Sequence, residues 1–278
     1  MKKVLVTGAA GYIGRHVVVE LLEQNYHVIA SDLGFKGVDE RADFCEYPIF
    51  SEDKDIFEKM GRPDICIHLA WRDGFRHNSK AHMDDLSKHI RFLEDMIDGG
   101  LKSLSVMGSM HEIGYWEGCV DENTPCNPLS MYGIAKNALR QTMFLYTQDK
   151  QTVLHWLRGY YILGDYARGS SVFSKIAEAV ESGKKSFPFT TGKNCYDFIK
   201  IGVLAKQIVA ASTQDKINGI INVCSGHAVS LADQVEKFIK EQNYTIELQY
   251  GAFPDRPYDS PAIWGDASKI NHIMGEKE

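Results

Sequence analysis

The chain has 278 residues, 44% hydrophobic and 24% charged, a balance that fits one full core with a smaller lobe and argues against disorder or membrane residence. Its formal net charge of -6 argues against a nucleic-acid partner, because such proteins usually carry a basic excess. The six cysteines, Cys45, Cys66, Cys119, Cys126, Cys195 and Cys224, are scattered, with no Cys-x-x-Cys and no histidine pair at ligand spacing, so they read as reduced structural thiols and no metal site is expected.

The start Met1-Lys2-Lys3-Val4-Leu5-Val6 is basic like a signal peptide, but its apolar stretch meets Thr7-Gly8 at once, and no other run is long enough to span a bilayer. A cytoplasmic chain without membrane contact is the expectation. After Val4-Leu5-Val6 comes an amphipathic run over 16–23. Strands follow at Val28-Ile29-Ala30, Ile65-Cys66-Ile67, Leu104-Ser105-Val106 and Val153-Leu154-His155-Trp156-Leu157, with helical stretches between them, one of which runs on to about 147. This alternation predicts an α/β fold with a doubly wound parallel sheet, and the unbroken apolar runs fit strands covered on both faces. Between 164 and 196 the pattern loosens around a helix at 174–182, which reads as an excursion out of the sheet. Gly219-Ile220-Ile221-Asn222-Val223 predicts one more buried strand, then a helix over 230–241, a final strand over 245–250 and a loop Pro254-Asp255-Arg256-Pro257-Tyr258 of the kind that borders sites.

The strongest local signal is Thr7-Gly8-Ala9-Ala10-Gly11-Tyr12-Ile13-Gly14, directly after a predicted strand and before a predicted helix. Gly8 permits a tight turn, Gly11 lets backbone approach a pyrophosphate, and Gly14 lets helix and strand pack closely. Asp32 ends the second strand, about 20 residues further on, where a carboxylate accepts hydrogen bonds from adenosine ribose hydroxyls. That carboxylate repels a 2′-phosphate and favours NAD over NADP, although the nearby Lys36 blurs the preference and leaves NADP open.

A second constellation lies in the middle of the chain. Tyr132 and Lys136 stand at i, i+4 on one helix face, so the ammonium lies near the phenol and lowers its pKa toward working pH. Ser109 follows the strand at 104–107, at the carboxyl end where ligands sit in open parallel sheets. Its hydroxyl can bind a substrate oxygen while Tyr132 handles the proton.

With these residues in view, the chain resembles an extended short-chain dehydrogenase/reductase of the NAD-dependent epimerase/dehydratase group. The resemblance rests on the glycine loop, Asp32, Ile67-His68-Leu69-Ala70, Gly108-Ser109, Pro128 with Tyr132-Gly133 and Lys136, Leu157-Arg158, Asp197-Phe198-Ile199 and Asn222-Val223-Cys224-Ser225-Gly226, in family order along nearly the whole chain. It implies a nucleotide-sugar substrate, a Rossmann domain over 1–163 with 196–225 returning to it, and a smaller α/β substrate lobe from 164–195 and 226–278. Ser109, Tyr132 and Lys136 resemble the family's catalytic set. Gly8, Gly11, Tyr12, Ile13, Gly14, Asp32, Leu33, Leu69, Ala70, Trp71 and Tyr160 correspond to cofactor positions, with Tyr132 and Lys136. Ser109, Met110, His111, Tyr161, Lys193 and Arg256 correspond to substrate positions. A homodimer through the helices at 83–97 and 131–146 is implied as well.

The departures narrow the reaction. Family dehydratases carry an Asp-Glu pair directly after the Ser109 position, but here Met110 and His111 stand there and a carboxylate comes only at Glu112. That argues against dehydration and leaves a nucleotide-sugar 4-ketoreductase or a 4-epimerase. The segment from Gly108 through Gly118 resembles deoxysugar reductases, which favours reduction of a dTDP-4-keto-6-deoxyhexose. A non-catalytic NAD(P)-binding sensor is the alternative of another class, and it predicts an eroded Tyr/Lys pair. Three positions depart further: Tyr161 where relatives have Asn, Tyr196 where they have Arg, and Asp85 where Asn is usual.

Overall fold

The computed structural model describes residues 1–164, 171–254 and 259–275. The first half of the chain runs β1 (Lys3–Thr7), α1 (Gly14–Glu23), β2 (His27–Ser31), β3 (Asp43–Cys45), α2 (Ile56–Lys59), β4 (Ile65–His68), α3 (Ala81–Asp84), α4 (Leu86–Asp98), β5 (Ser103–Ser109), β6 (Gly118–Val120), α5 (Met131–Tyr146), β7 (Val153–Gly159) and β8 (Tyr161–Leu163). The second half runs α6 (Val172–Glu181), β9 (Ser186–Pro188), β10 (Cys195–Lys200), α7 (Ile201–Thr213), β11 (Gly219–Val223), β12 (Ala228–Ser230), α8 (Leu231–Glu241), β13 (Glu247–Gln249), β14 (Ala262–Gly265) and α9 (Ser268–Met274).

Seven strands form one parallel sheet in the order β11-β7-β5-β4-β1-β2-β3. Successive side chains of a strand face opposite ways. Val4 and Val6 therefore join Val17, Val18 and Leu21 of α1 and Leu204 and Ile208 of α7 on one face, while Leu5 joins Phe92, Leu93 and Met96 of α4 and Leu139 and Met143 of α5 on the other. Both faces are covered, which is why the strands read as unbroken apolar runs. The winding reverses between β1 and β4, and ligands of open α/β sheets bind at the carboxyl ends of strands flanking such a reversal.

A second sheet, β12-β10-β14-β6 with β8 on β10, and a two-stranded β13-β9 ribbon build the smaller lobe. Leu163, Phe173, Ile176, Phe189, Val235 and Phe238 form its core. Two sequence expectations shift here. The strand over 245–250 is not the final one, because Ala262–Gly265 follows it and pairs with both β10 and β6. The expected return to the large sheet at 196 begins instead with α7, because β10 pairs with strands of the second sheet. Short strands such as β6, β8 and β12 carry too few residues to show a period, so they left no signal.

Candidate active site

Gly8 follows β1 with a left-handed φ of +71°, and a β-carbon there would lie 2.7 Å from the Ala70 amide nitrogen, so the loop presses directly on the segment after β4. At Gly14 a β-carbon would lie 2.0 Å from the Gly8 carbonyl oxygen. Only glycine lets α1 start this close to the loop. No side chain of the described residues caps α1, whose Arg15 and His16 amides donate to the Gly11 and Ile13 carbonyls at 3.4 and 3.1 Å, so the positive end of the helix faces the loop. The half-buried Asp32 carboxylate accepts from Ala10 N–H at 2.9 Å and Leu33 N–H at 2.7 Å, locking the loop to the end of β2. The Tyr12 hydroxyl donates to the Gly164 carbonyl at 2.5 Å. Gly11, Ile13, Leu69 and Ala70 complete the surroundings, while Leu33 and Lys36 are exposed. A close backbone cradle, an uncapped helix start and a carboxylate at the second strand fit a dinucleotide.

Two strands away, Ser109 ends β5, and its Oγ accepts from His111 N–H at 3.2 Å, opening a 3₁₀ turn at Met110–Glu112. Ser130 caps α5 by accepting from Gly133 N–H at 3.1 Å. A β-carbon on Gly133 would lie 2.3 Å from the His111 carbonyl oxygen. The helix start therefore lies against that turn, and this contact brings Tyr132 to Ser109.

Burial pushes the Tyr132 phenol up to about 12, the neighbouring Ser109 hydroxyl works against that rise, and the Glu112 charge adds to it. Lys136 is only 2% exposed. Its Nζ donates to the Met107 carbonyl at 2.7 Å and lies 3.7 Å from the centre of the Trp71 ring and 5.9 Å from that of Tyr132. Burial lowers this ammonium to about 7, with Glu112 pulling the other way. The expectation that Lys136 lowers the Tyr132 pKa is corrected in this arrangement: the ammonium is engaged by Met107 and Trp71, and burial dominates the phenol.

The carboxylate of Glu112 is buried in the protein interior. It accepts from Ser109 N–H at 2.7 Å and from Trp156 Nε1 at 3.0 Å, and lies 3.7 Å from Arg140 Nε and 3.6 Å from Arg158 NH2. Glu112 and Arg158 are both 0% exposed. With Ser109 it forms a capping box, whose Ser-x-x-Glu pattern was legible in the sequence. Met110, expected at the substrate, is turned into the core with Ile113 and Leu157, because the same turn that aims Ser109 outward aims the next side chain inward.

His111 stays at the site. Its ring lies 6.0 Å from that of Tyr132 and 4.2 Å from that of His77; burial first, then the neighbouring His77, lowers it to about 4. His77 went unnoticed in the sequence. Its carbonyl accepts the Tyr132 N–H at 2.8 Å and its ring stacks on the phenol, 5.4 Å between centres at 13°. A lone histidine in a loop carries no spacing signal, so only the folded chain could reveal it.

Other expected site residues lie elsewhere. The ring of Tyr160 is buried against Gly265, whose missing β-carbon makes room for it, and its hydroxyl donates to Asn222 Oδ1 at 3.3 Å. That seam between the sheets takes the side chain away from the cofactor position expected for it. Tyr161 packs on Tyr196 at 4.4 Å between ring centres, so two positions expected to be polar in relatives meet here as an aromatic pair. Asp85 holds Arg72 and Lys88, each at 2.9 Å, which gives a carboxylate a use at that position. Lys193 is exposed in the loop before β10. Arg256 lies outside the described residues. Among the described residues no group of His, Cys, Asp and Glu could hold a metal ion.

The chain belongs to the NAD dependent epimerase/dehydratase family, whose family model matches residues 4–224. It is 42% identical over 270 residues to dTDP-6-deoxy-L-talose 4-dehydrogenase (NAD(+)) of Aggregatibacter actinomycetemcomitans, a match spanning 94% of this chain and 98% of that protein. It is 25% identical to the UDP-glucose 4-epimerase of Lactobacillus helveticus, over 99% of this chain and 92% of that one. Among solved structures it matches the UDP-glucose 4-epimerase of Thermotoga maritima with a TM-score of 0.84 at 23% identity, covering 99% of this chain and 94% of that one, a likeness of fold.

Proposed function

We propose that this protein is an NAD(H)-dependent oxidoreductase that interconverts the 4-keto and 4-hydroxyl forms of a dTDP-linked 6-deoxyhexose. The observation that carries the reading is the 42% identity, along 94% of the chain, to a dTDP-6-deoxy-L-talose 4-dehydrogenase. The cofactor, when bound, supplies or takes the hydride. Gly8, Gly11 and Gly14 at the start of α1 would hold its pyrophosphate, Asp32 would accept from the ribose hydroxyls and favour NAD, and Tyr12, Ile13, Leu69 and Ala70 would flank it.

A carbonyl oxygen gathers negative charge as it is reduced, and it needs a proton from a positioned acid. Tyr132 carries that proton, since its phenol stays protonated well past neutral pH. Ser109 orients the same oxygen, and Lys136 sets a positive charge behind the phenol. His111, neutral at working pH, offers the sugar a hydrogen bond from the position where dehydratases keep an acid. With Glu112 committed to Ser109, Trp156 and two arginines, the base that dehydration needs is missing from the turn.

A 4-epimerase is the second reading, favoured by the likeness to the Lactobacillus helveticus enzyme along 99% of the chain. The two separate in a panel of dTDP-, UDP-, GDP- and CDP-linked sugars and 4-keto-sugars, followed by NADH and NADPH absorbance and by NMR of the product. Stoichiometric cofactor turnover supports the oxidoreductase, and inversion without net consumption supports the epimerase. Saturable NAD(H) binding with no turnover on any sugar would overturn both in favour of a sensor. In the same assay Tyr132→Phe is expected to lose about 10²–10⁴ in rate, and undiminished turnover would remove Tyr132 from its role.

We also infer that residues 1–163 and 201–225 serve the cofactor, that 164–200 and 226–278 serve the sugar, and that the protein works in the cytoplasm as a homodimer. All six cysteines are free, in keeping with a reducing compartment. Met83, Met131, Ile134 and Leu145 are exposed along α3 and α5, which supports a dimer face beside α4. Light scattering that gives a monomer would remove the dimer.

A further inference from the structure

We infer that Trp71 is a positioning residue for Lys136: its indole face holds the buried ammonium in place, and in its charged form, beside Tyr132. The inference rests on the proposed reaction only for the importance of Lys136, since the contact itself is a matter of geometry. An ammonium has three N–H donors and is strongly hydrated in water. At 2% exposure Lys136 has lost that water, and among the described residues a single oxygen, the Met107 carbonyl at 2.7 Å, accepts a hydrogen bond from it. Against it lies the Trp71 ring, its centre 3.7 Å from Nζ, well inside the distance at which the negative face of an indole attracts a cation.

The indole is not free to turn away. Its Nε1–H donates to His82 Nδ1 at 3.0 Å, and His82 Nε2 faces the Arg76 carbonyl at 3.0 Å. A carbonyl only accepts, so Nε2 carries the hydrogen and Nδ1 is left to accept from the indole. The indole also stacks on His89, 4.5 Å between centres at 13°. Burial above all, with the charges of Lys136 and Lys88, holds His89 down at about 3. A protonated His89 would compete for the same ring and repel the ammonium; a neutral one leaves the ring to Lys136. His89 Nδ1 in turn meets His68 Nε2 at 2.9 Å, and His68 Nδ1 meets Thr7 Oγ1 at 2.8 Å, so the clamp is anchored at the end of β1, one residue before Gly8.

The groups that surround Lys136 show why an uncharged partner matters. Tyr132 faces it from α5, His68 from β4, His89 from α4, His82 through the indole from α3, and Glu112 from the turn after β5. Glu112 is the one anion among them, and Arg140 and Arg158 share it at 3.7 and 3.6 Å. Lys136 therefore rests near the balance between its two protonation states, where an attraction of cation–π size decides which one is filled.

The test uses the full chain labelled with ¹⁵N-lysine, with the Nζ signal of Lys136 identified by its loss in Lys136→Met. Trp71→Leu is expected to lower the titration midpoint of Lys136 by about one pH unit, and Trp71→Phe by less, because benzene is the weaker cation binder. An unchanged midpoint in Trp71→Leu overturns the inference. If the leucine variant does not fold, an unchanged midpoint in Trp71→Phe overturns it instead. In turnover, the alkaline limb set by loss of the Lys136 charge should move to lower pH in Trp71→Leu, whereas a merely structural role would lower the rate with the limb in place. The titration needs no sugar, so a wild-type protein without turnover would count against the proposed function and leave the Lys136 result standing.

Discussion

The glycine loop after β1 and the turn after β5 lie at the same carboxyl edge of one parallel sheet, yet they are held by different forces. The loop is a backbone construction: Gly8 and Gly14 are tight because any β-carbon would strike another main-chain atom, and one carboxylate, Asp32, ties the loop to β2. The turn is a side-chain construction: Glu112, Trp156, Arg140 and Arg158 converge from the turn, β7 and α5 to hold the backbone of Ser109. A backbone cradle is insensitive to distant residues, whereas a buried ion cluster fails as a unit when one member is removed.

The comparison can be broken by four measurements. The largest effect is expected for Glu112→Ala, which leaves Arg158 buried without its counter-charge and should cost about 3–5 kcal/mol by urea denaturation. A change under about 1 kcal/mol would mean that the cluster is not what holds the turn. Acid should act next. The unfolded chain protonates its histidines near pH 6.5, while in the folded chain His89 is held down at about 3 and His155 at about 4, both by burial first, and His68 well below its usual value. As pH falls from 6.5 toward 4 the unfolded state binds protons that the folded state refuses, so stability falls by up to about 1.4 kcal/mol per pH unit for each such histidine. Urea midpoints that stay flat across that window would contradict the burial of these rings. Gly14→Ala should cost about 1–3 kcal/mol of cofactor affinity, some 10- to 100-fold in the NADH dissociation constant by fluorescence titration, because α1 must back away from Gly8. Affinity unchanged by this substitution would show that the cradle has slack. Ser130→Ala is the smallest, about 1 kcal/mol from the lost cap on α5, read as a shift in the thermal midpoint.

Much of the frame was legible in the sequence, and the reason differs from place to place. The five strands at 4–6, 28–30, 65–67, 104–106 and 153–157 stand out because both faces of the sheet are covered, and α5 stands out because its length lets a period show. Most strands of the second sheet do not, at three or four residues each, β10 with six being the exception. Of the candidate site, the glycines, Asp32, Ser109, Tyr132 and Lys136 could be picked out in the sequence because their spacing is local. Met110 and Tyr160 were misplaced because spacing says nothing of which way a side chain turns at the end of a strand. Glu112 was weighed as a late acid when it is a buried anchor, and His77 was passed over.

The sequence by itself determined the glycine loop, the order of the sheet-forming segments and the Tyr132/Lys136 pair that the proposed function uses, since each depends on residues within a few positions of one another. Tertiary structure alone decided the environment of that pair. Whether Lys136 faces Tyr132 or Trp71, whether Glu112 reaches a substrate or two arginines, and whether a histidine stays neutral all depend on partners 20 to more than 60 residues away. Those contacts are set by how α3, α4, α5 and β7 pack, and burial then fixes the charge each group can carry.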